Sequence, residues 1–282
     1  MQESASRPLN IVVLVKHVPD AQFDRHLSGP GHTLDRSESI LSELDEYALE
    51  AALQLAEARG GQAAGNSVTA LTMGPDAAVN AVKKALQIGA YRGVHVNDAA
   101  LAGSDAAATS LVLAAAVAQV GGPDGGPGIP DLVLTGMAST DGETSLVPAQ
   151  LAERLQLAQV TFASELEVAD DDGAAVVRAR RNGDSYSETL EAPLPALVSV
   201  TDQANDPRYP NFKGIMAAKK KTITVLSLQD LGIEPSQVGL DGAWTTVAAS
   251  APRPARSAGT VITDDGDAGV RLVDFLAAQK LI

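Results

Sequence analysis

A chain of 282 residues, 45% hydrophobic and 20% charged, is long enough for one large or two modest domains with a proper core. Its formal net charge of −14 argues against general nucleic-acid binding, which needs a basic face, and its lack of cysteine excludes disulfides, thiolate–zinc sites and cysteine nucleophiles. No apolar run approaches the roughly 20 residues a membrane helix needs, and the opening MQESASRPLN lacks a signal peptide's apolar centre, so a cytoplasmic protein without membrane insertion is expected.

Asn10–Lys16, NIVVLVK, is a continuous β-branched and apolar run of strand length, as in a strand covered on both faces of a parallel sheet. After a polar loop, Ser42–Gly60 reads as a helix: Ser42 can cap it, Leu44, Ala48, Ala51 and Leu55 fall near one face, and Gly60-Gly61 stops it. Ser67–Met73 is a second strand, turned by Gly74-Pro75-Asp76 into a helix over Ala77–Ile88. Gly93–Asn97 is a third, followed by an Ala-rich helix from Ser104 to Val120 and, past a Gly/Pro loop, the strand Asp131–Thr135. The polar turn Gly136–Ser145 leads to a helix over Val147–Leu157, which tolerates Pro148 in its first turn. Strands alternating with helices in this way predict an α/β fold, a doubly wound, mostly parallel sheet.

From Gln159 the pattern changes. Leu166–Val168, Ala174–Arg180 and Ser185–Ala192 are short extended segments joined by the Asp-Asp-Gly turn at 171–173 and by Asn182-Gly183, and read as a β-meander or hairpin appended to the sheet. Ala196–Val200 is another apolar strand, and Thr222–Leu226 a further one. Residues 1–230 are thus expected to form the α/β domain. Residues 231–282, too poor in apolar residues through Ala258 to build a core and ending in an amphipathic helix over Ala268–Ile282, are expected to form an extended arm that needs a partner surface.

Between the last two strands lies Asn205–Lys221, NDPRYPNFKGIMAAKKK. It holds five of the 21 Lys and Arg residues, Arg208, Lys213, Lys219, Lys220 and Lys221, around Tyr209, Phe212, Ile215 and Met216. Such an apolar centre ringed by charge suits a protein-docking loop, but the residues alone favour a solvated loop whose apolar residues are tucked into the core. Pro207 and Pro210 break any helix or strand between them.

In an open parallel sheet, ligands bind beyond the carboxyl ends of the strands at the switch point. Three such ends carry suitable residues: Leu14–His17, Met73-Gly74-Pro75 and Gly136–Ser145. The last offers two glycines for close backbone approach, the hydroxyls of Ser139, Thr140, Thr144 and Ser145, and a helix N-terminus beyond, which favours a phosphate. An ordinary polar turn capped by Asp141 or Thr144 has the same composition, and neither a Walker A loop nor GxGxxG is present. The histidines His17, His26, His32 and His95 lack metal spacing, and there is no G-x-S-x-G elbow and no evident acid–base pair, so the residues describe a binding or carrier domain without bond-making catalysis.

Taken together, VVLVKHVPD, ELDEYALEAALQL, LTMGPDAA with KKALQIGA, DLVLTGMASTDG, LPALVSV and NDPRYPNFKGIMAAKKK followed by DLG resemble, in order and spacing, the beta subunit of electron transfer flavoprotein, also called the FixA type. The resemblance runs from about residue 10 to the C-terminal helix, and the N-D/E-P-R-Y and A-x-K-K-K pair is its most specific part. It implies a heterodimer with an alpha subunit that holds the redox-active FAD, while the beta subunit holds a buried AMP and a docking loop and its tail wraps onto the alpha subunit. Electrons would pass from acyl-CoA and related dehydrogenases to the flavin and on to a membrane quinone oxidoreductase.

Carried onto this sequence, the family's AMP site falls on Leu14, Ser42, Leu44, Asp45, Met73 and Gly74, and on Met137, Ala138, Ser139, Thr140, Asp141, Gly142, Glu143, Thr144 and Ser145. Docking falls on Arg208, Tyr209, Phe212, Ile215, Met216, Lys219, Lys220 and Lys221, with Phe212 where the family usually has a leucine anchor. Asn182 stands where some members carry a glutamate near the flavin, and no role is assigned to it. The bifurcating branch binds a second FAD in place of AMP; the run Gly142-Glu143-Thr144-Ser145-Leu146-Val147-Pro148 is related to that branch's sequence without matching it, which favours AMP. A rival from another class is a nucleotide-binding regulatory protein or ATPase resembling universal stress proteins, which would explain neither the basic stretch nor the arm.

Overall fold

Apolar runs become strands wherever both of their faces are covered. The computed structural model describes residues 7–28, 32–171, 173–251, 254–256 and 258–282. The chain begins with β1 (Asn10–Leu14) and β2 (His17–Pro19), continues through β3 (Leu27–Ser28), β4 (Thr33–Leu34) and β5 (Ser39–Leu41), and enters α1 (Glu43–Ala58). There follow β6 (Ser67–Met73), α2 (Val79–Ile88), β7 (Arg92–Val96), α3 (Ala106–Val120), β8 (Leu132–Gly136) and α4 (Val147–Leu155). After these come β9 (Ala158–Ala163), β10 (Glu165–Asp171), β11 (Ala174–Asn182), β12 (Ser187–Pro193), β13 (Ala196–Val200), α5 (Phe212–Ala218), β14 (Ile223–Leu226), α6 (Gly239–Gly242) and α7 (Ala268–Ala278).

Seven strands pair in the order β14-β7-β6-β1-β8-β13-β9, each parallel to its neighbours. Along β1, Ile11 and Val13 pack into the layer of α1 and α2, while Val12 and Leu14 pack into the layer of α3 and α4. This two-sided burial is why NIVVL is apolar at almost every position and does not alternate. The chain steps outward from β1 to β6 and β7, then returns to β8 on the other side of β1, so the strand order reverses between β1 and β8. The expected doubly wound sheet with an appended antiparallel hairpin is what forms. The appendage is a three-stranded sheet, β10-β11-β12, in which Arg178 faces Glu191 and Arg181 faces Glu188 across the register.

Several local expectations change. Residues 158–163 are the seventh strand of the main sheet, at its edge, where the sequence places the appended hairpin's approach. The polar loop before α1 contains the β3–β4 hairpin and the β2–β5 pair. The Asp-Asp-Gly turn includes Asp172, and the arm includes Pro252, Arg253 and Ser257, all outside the described residues. Ser42 occupies the N-cap position of α1 but makes no cap bond through its side chain. The amides of Asp45 and Glu46 both turn to the Ser42 carbonyl, at 3.0 and 3.3 Å, and the buried hydroxyl has no partner among the described residues.

The chain divides into one compact unit ending at Ala248 and a second, Ala249–Ile282. Residues following β14 remain part of the first: Val238 is buried, the Gly239 amide donates to Ser104 Oγ at 2.9 Å, and the Trp244 and Thr245 amides donate to Asp105 Oδ2. The second unit contains α7, whose Val270, Leu272, Val273 and Phe275 are exposed. No helix among the described residues is long and apolar enough to cross a membrane.

Candidate functional site

Where the strand order reverses, the ends of β1 and β8 diverge and leave a crevice, the place at which this sheet type binds ligands. A cavity of about 120 Å³ lies there. Leu14, Leu71, Met73, Leu113 and Val147 form its apolar wall, and Lys16, Asp45, Thr109, Thr135, Ser139, Thr144 and Ser145 its polar one. Each strand end delivers its residue because the apolar run preceding it is fixed in the core.

Asp45 ties the floor together. Its Oδ2 accepts the Lys16 amide at 2.7 Å, and the Gly136 amide also bonds to the carboxylate, so the first turn of α1 holds the ends of β1 and β8. A Cβ on Gly136 would stand 2.8 Å from Asp45 Oδ1 and 2.8 Å from the Leu44 carbonyl oxygen, so only glycine fits this approach. Burial pushes the Asp45 carboxyl up to about 7, against the opposing pull of the Lys16 amide and ammonium.

Above the floor, the loop 137–146 is latched by Asp141. Its Oδ1 accepts from Lys16 Nζ at 2.8 Å and its Oδ2 from Arg36 at 2.6 Å. Although burial opposes ionisation, these two cations hold the Asp141 carboxyl well below the usual carboxylate range. Arg36 also donates to the His17 carbonyl at 2.9 Å, so the excursion between β2 and β5 is bonded to the same latch. Glu143 and Ser145 have φ of 50° and 51°, left-handed values rare for residues other than glycine. Such strain, on the order of 1–3 kcal/mol each, persists where the surroundings fix the backbone, and it concentrates at ligand sites.

Of the residues expected at a nucleotide site, Leu14, Asp45, Met73, Ala138, Ser139, Thr144 and Ser145 line this cavity. The others lie around it. Leu44 presents its carbonyl to Gly136, and Gly74 accepts from His95 Nε2 at 3.0 Å, tying β6 to β7. Met137, Thr140, Gly142 and Glu143 belong to the same loop but not to the cavity wall, Asp141 is its latch, and Ser42 is buried at the start of α1. Thr109 and Thr135 are the polar lining residues not singled out from sequence, and Lys16 falls within the strand end Leu14–His17 without being named by itself. Thr109 reaches the cavity only because α3 packs there.

The basic stretch runs from the end of β13 across the outside of α1 and α2 to β14 on the far edge, and forms a strap. Asn205 Nδ2 donates to the Tyr47 carbonyl at 3.0 Å. Arg208 donates to Glu50 through Nε at 2.7 Å and Nη2 at 3.0 Å, and to Glu57 through Nη1 at 2.6 Å and Nη2 at 2.9 Å. The bonds to Glu57 and Glu50 raise the guanidinium's already high pKa. Beyond Pro210 the strap is helical: Asn211 caps α5 by accepting the Gly214 amide at 2.8 Å, and Gly214 passes so close to the Gln87 carbonyl oxygen that a Cβ would stand 2.5 Å from it. Lys221 Nζ donates to the Ala90 carbonyl at 2.5 Å, and burial lowers its pKa. Among the expected docking residues, Tyr209 (90% exposed), Phe212 (80%), Met216, Lys219 and Lys220 face outward, Ile215 is half-buried, and Arg208 and Lys221 are bonded within the chain.

The electron transfer flavoprotein domain family matches residues 32–231. The chain is 44% identical over 275 residues to the electron transfer flavoprotein subunit beta of Mycobacterium tuberculosis, covering 97% of this chain and 99% of that one. It is 33% identical to the electron transfer flavoprotein subunit beta of Megasphaera elsdenii, covering 97% and 100%, and 35% identical to protein FixA of Azorhizobium caulinodans, covering 85% and 83%. The chain belongs to the electron transfer flavoprotein beta-subunit family. As a family member it has an electron-transfer role, and the family match takes in Asp45, Gly136, Asp141 and the strap, while β1 and Lys16 precede it. The match to the mycobacterial subunit extends beyond residue 231 into the segment pinned by Asp105 and the second unit.

Proposed function

We propose that this chain is the beta subunit of a heterodimeric electron transfer flavoprotein that works in the cytoplasm as an electron carrier, without bond-making catalysis. In this reading it binds AMP in the crevice between β1 and β8 and docks acyl-CoA and related dehydrogenases through the strap. Its alpha subunit holds most of the FAD, from which electrons go on to a membrane quinone oxidoreductase.

The observation that carries the reading is the chemistry of the crevice. Leu14, Leu71, Met73 and Leu113 form an apolar slot suited to a purine, and Ser139, Thr144 and Ser145 offer hydroxyls beside the N-terminus of α4, suited to a phosphate. Thr135 Oγ1 is buried in the wall without a hydrogen-bond partner among the described residues, a group that a bound polar molecule would satisfy. Lys16 is already paired with Asp141, so the hydrogen bonds to a phosphate would come from hydroxyls and backbone amides. AMP supplies no redox chemistry; its role is to fill and order the crevice. The exposed tyrosine, phenylalanine and lysines of the strap support docking, and the exposed apolar residues of α7 support an arm that wraps on the alpha subunit.

The test is to express the chain with its alpha subunit, denature the purified complex and identify the released nucleotides. One AMP and one FAD per heterodimer are expected. Two flavins would place FAD in the crevice and make this a bifurcating form, and a colourless homodimer that hydrolyses ATP would overturn the reading altogether.

A further inference from the structure

We propose that Arg208 is a positioning residue for docking: without touching the partner, it staples the strap to α1 through Glu50 and Glu57 and so holds Tyr209 and Phe212 in one pose. The proposal rests on the docking reading above and extends it to two glutamates that lie outside the exposed patch.

Arg208 has almost no hydrogen-bonding capacity left for another molecule. A guanidinium carries five N–H donors, and four bonds of 2.6 to 3.0 Å run from Arg208 to the two carboxylates. Its backbone amide adds a fifth, to Glu50 Oε2 at 3.2 Å. The acceptors are seven residues apart, two turns along one face of α1. Glu50 has a side chain only 5% exposed, a position at which an unpaired carboxylate is strongly disfavoured. The bonds from Arg208 outweigh that burial and hold the Glu50 carboxyl below its usual range.

The exposed part of the strap has little to hold itself in place. No residue of α5 is buried, and a seven-residue helix is far too short to persist alone. Its conformation therefore depends on its anchors: Asn205 and Arg208 on α1 on one side, and on the other Gly214 against Gln87 of α2, Ala218 against the core and Lys221 on the Ala90 carbonyl just past α2. Pro207 and Pro210 flank Arg208 and Tyr209 and stiffen the backbone between staple and patch. A loop ordered before encounter loses less conformational freedom on binding, so the staple should act on the affinity for the partner and not on the electron-transfer step.

The test uses the FAD-loaded heterodimer, reduced by an acyl-CoA dehydrogenase with its acyl-CoA, and compares Arg208→Gln, Glu57→Gln and Phe212→Ala. Arg208→Gln should raise the KM for the heterodimer about tenfold with kcat unchanged, equivalent to about 1.4 kcal/mol. It should also speed hydrogen exchange of the backbone amides of 211–218. Glu57→Gln, at a half-exposed acceptor that folding can spare, should shift both readouts in the same direction by less, and it carries the test where Arg208→Gln fails to fold. Phe212→Ala should raise KM with exchange in the strap unchanged. A raised KM in Arg208→Gln and Glu57→Gln with wild-type exchange would make Arg208 a direct contact and overturn the proposal. Wild-type KM and exchange in both, beside a defective Phe212→Ala, would sink the staple alone; wild-type KM in Phe212→Ala would sink the docking reading and the proposal with it.

Discussion

Lys16 Nζ lies 2.8 Å from Asp141 Oδ1, an ion pair that joins the end of β1 to the loop after β8 across the mouth of the crevice. Asp141 is almost wholly buried, whereas Lys16 is 42% exposed, so the carboxylate depends on the pair more than the ammonium does. Asp141→Asn should therefore release the loop: the folded complex loses about 1–2 kcal/mol, less than a fully buried pair because Lys16 and Arg36 can turn to water. Thermal unfolding and the nucleotide retained after gel filtration measure the two effects. Full nucleotide retention at an unchanged Tm would show that the latch is idle.

Asp45 gives a pH dependence of definite sign. Its folded pKa is raised to about 7, so its contribution to stability is fully present below the unfolded carboxyl pKa and is lost as pH rises through about 7. The ceiling on that swing, for a shift of about three units, is about 4 kcal/mol. Asp45→Asn weakens the ties to the Lys16 and Gly136 amides at every pH but cannot ionise. The difference in Tm between variant and wild type should hence move in the variant's favour between pH 5 and pH 8. A difference that stays constant over this range would refute the assignment.

Gly136→Ala tests the closeness of α1 to β8. The new methyl would press on the Leu44 carbonyl, a backbone atom that cannot swing aside, as well as on Asp45. We expect destabilisation of about 1–3 kcal/mol, typical of overpacking, together with a lower nucleotide content. Wild-type stability in chemical denaturation would show that the floor is more yielding than its packing implies.

Phe212 and the lysine pair should differ in the salt dependence of their effects. An exposed aromatic that fills a partner pocket is a hot-spot residue, so Phe212→Ala should lower kcat/KM with the dehydrogenase by about 30-fold or more at unchanged flavin content. Lys219 and Lys220 form a rim; reversing both to Glu should slow association and flatten its dependence on ionic strength, with kcat intact. Stopped-flow reduction over a range of salt concentrations separates the two, and equal salt slopes in wild type and the lysine variant would remove electrostatic steering.

Much of this architecture is legible along the chain because it depends on local patterns. Ser67–Met73 and Ala196–Val200 are strands at the positions their apolar runs predict, and the crevice residues stand out because they follow such runs. β9 is hidden: AQVTFA lies at an edge, buries only Val160 and Ala163, and so shows no continuous apolar run. α5 is hidden by the two prolines before it and the glycine within it, though Asn211 is a readable cap. Arg208 shows the deeper limit. In sequence it belongs to a basic cluster like its neighbours, and only folding brings it to acids more than 150 residues earlier, which turns a surface charge into an internal tie.

The strap also determines when the sheet is completed. β14, the outermost strand on the far side, pairs with β7 and is reached only by crossing both helices, and its pairing joins residues about 130 positions apart, from Ile223 with Gly93 to Leu226 with Val96. During synthesis the six other strands can assemble first, and β7 stands as an open edge with its backbone groups unpaired until residue 226 emerges. The segment proposed to dock partners is therefore also the one that pairs the β7 edge and leaves the short, four-residue β14 as the outermost strand.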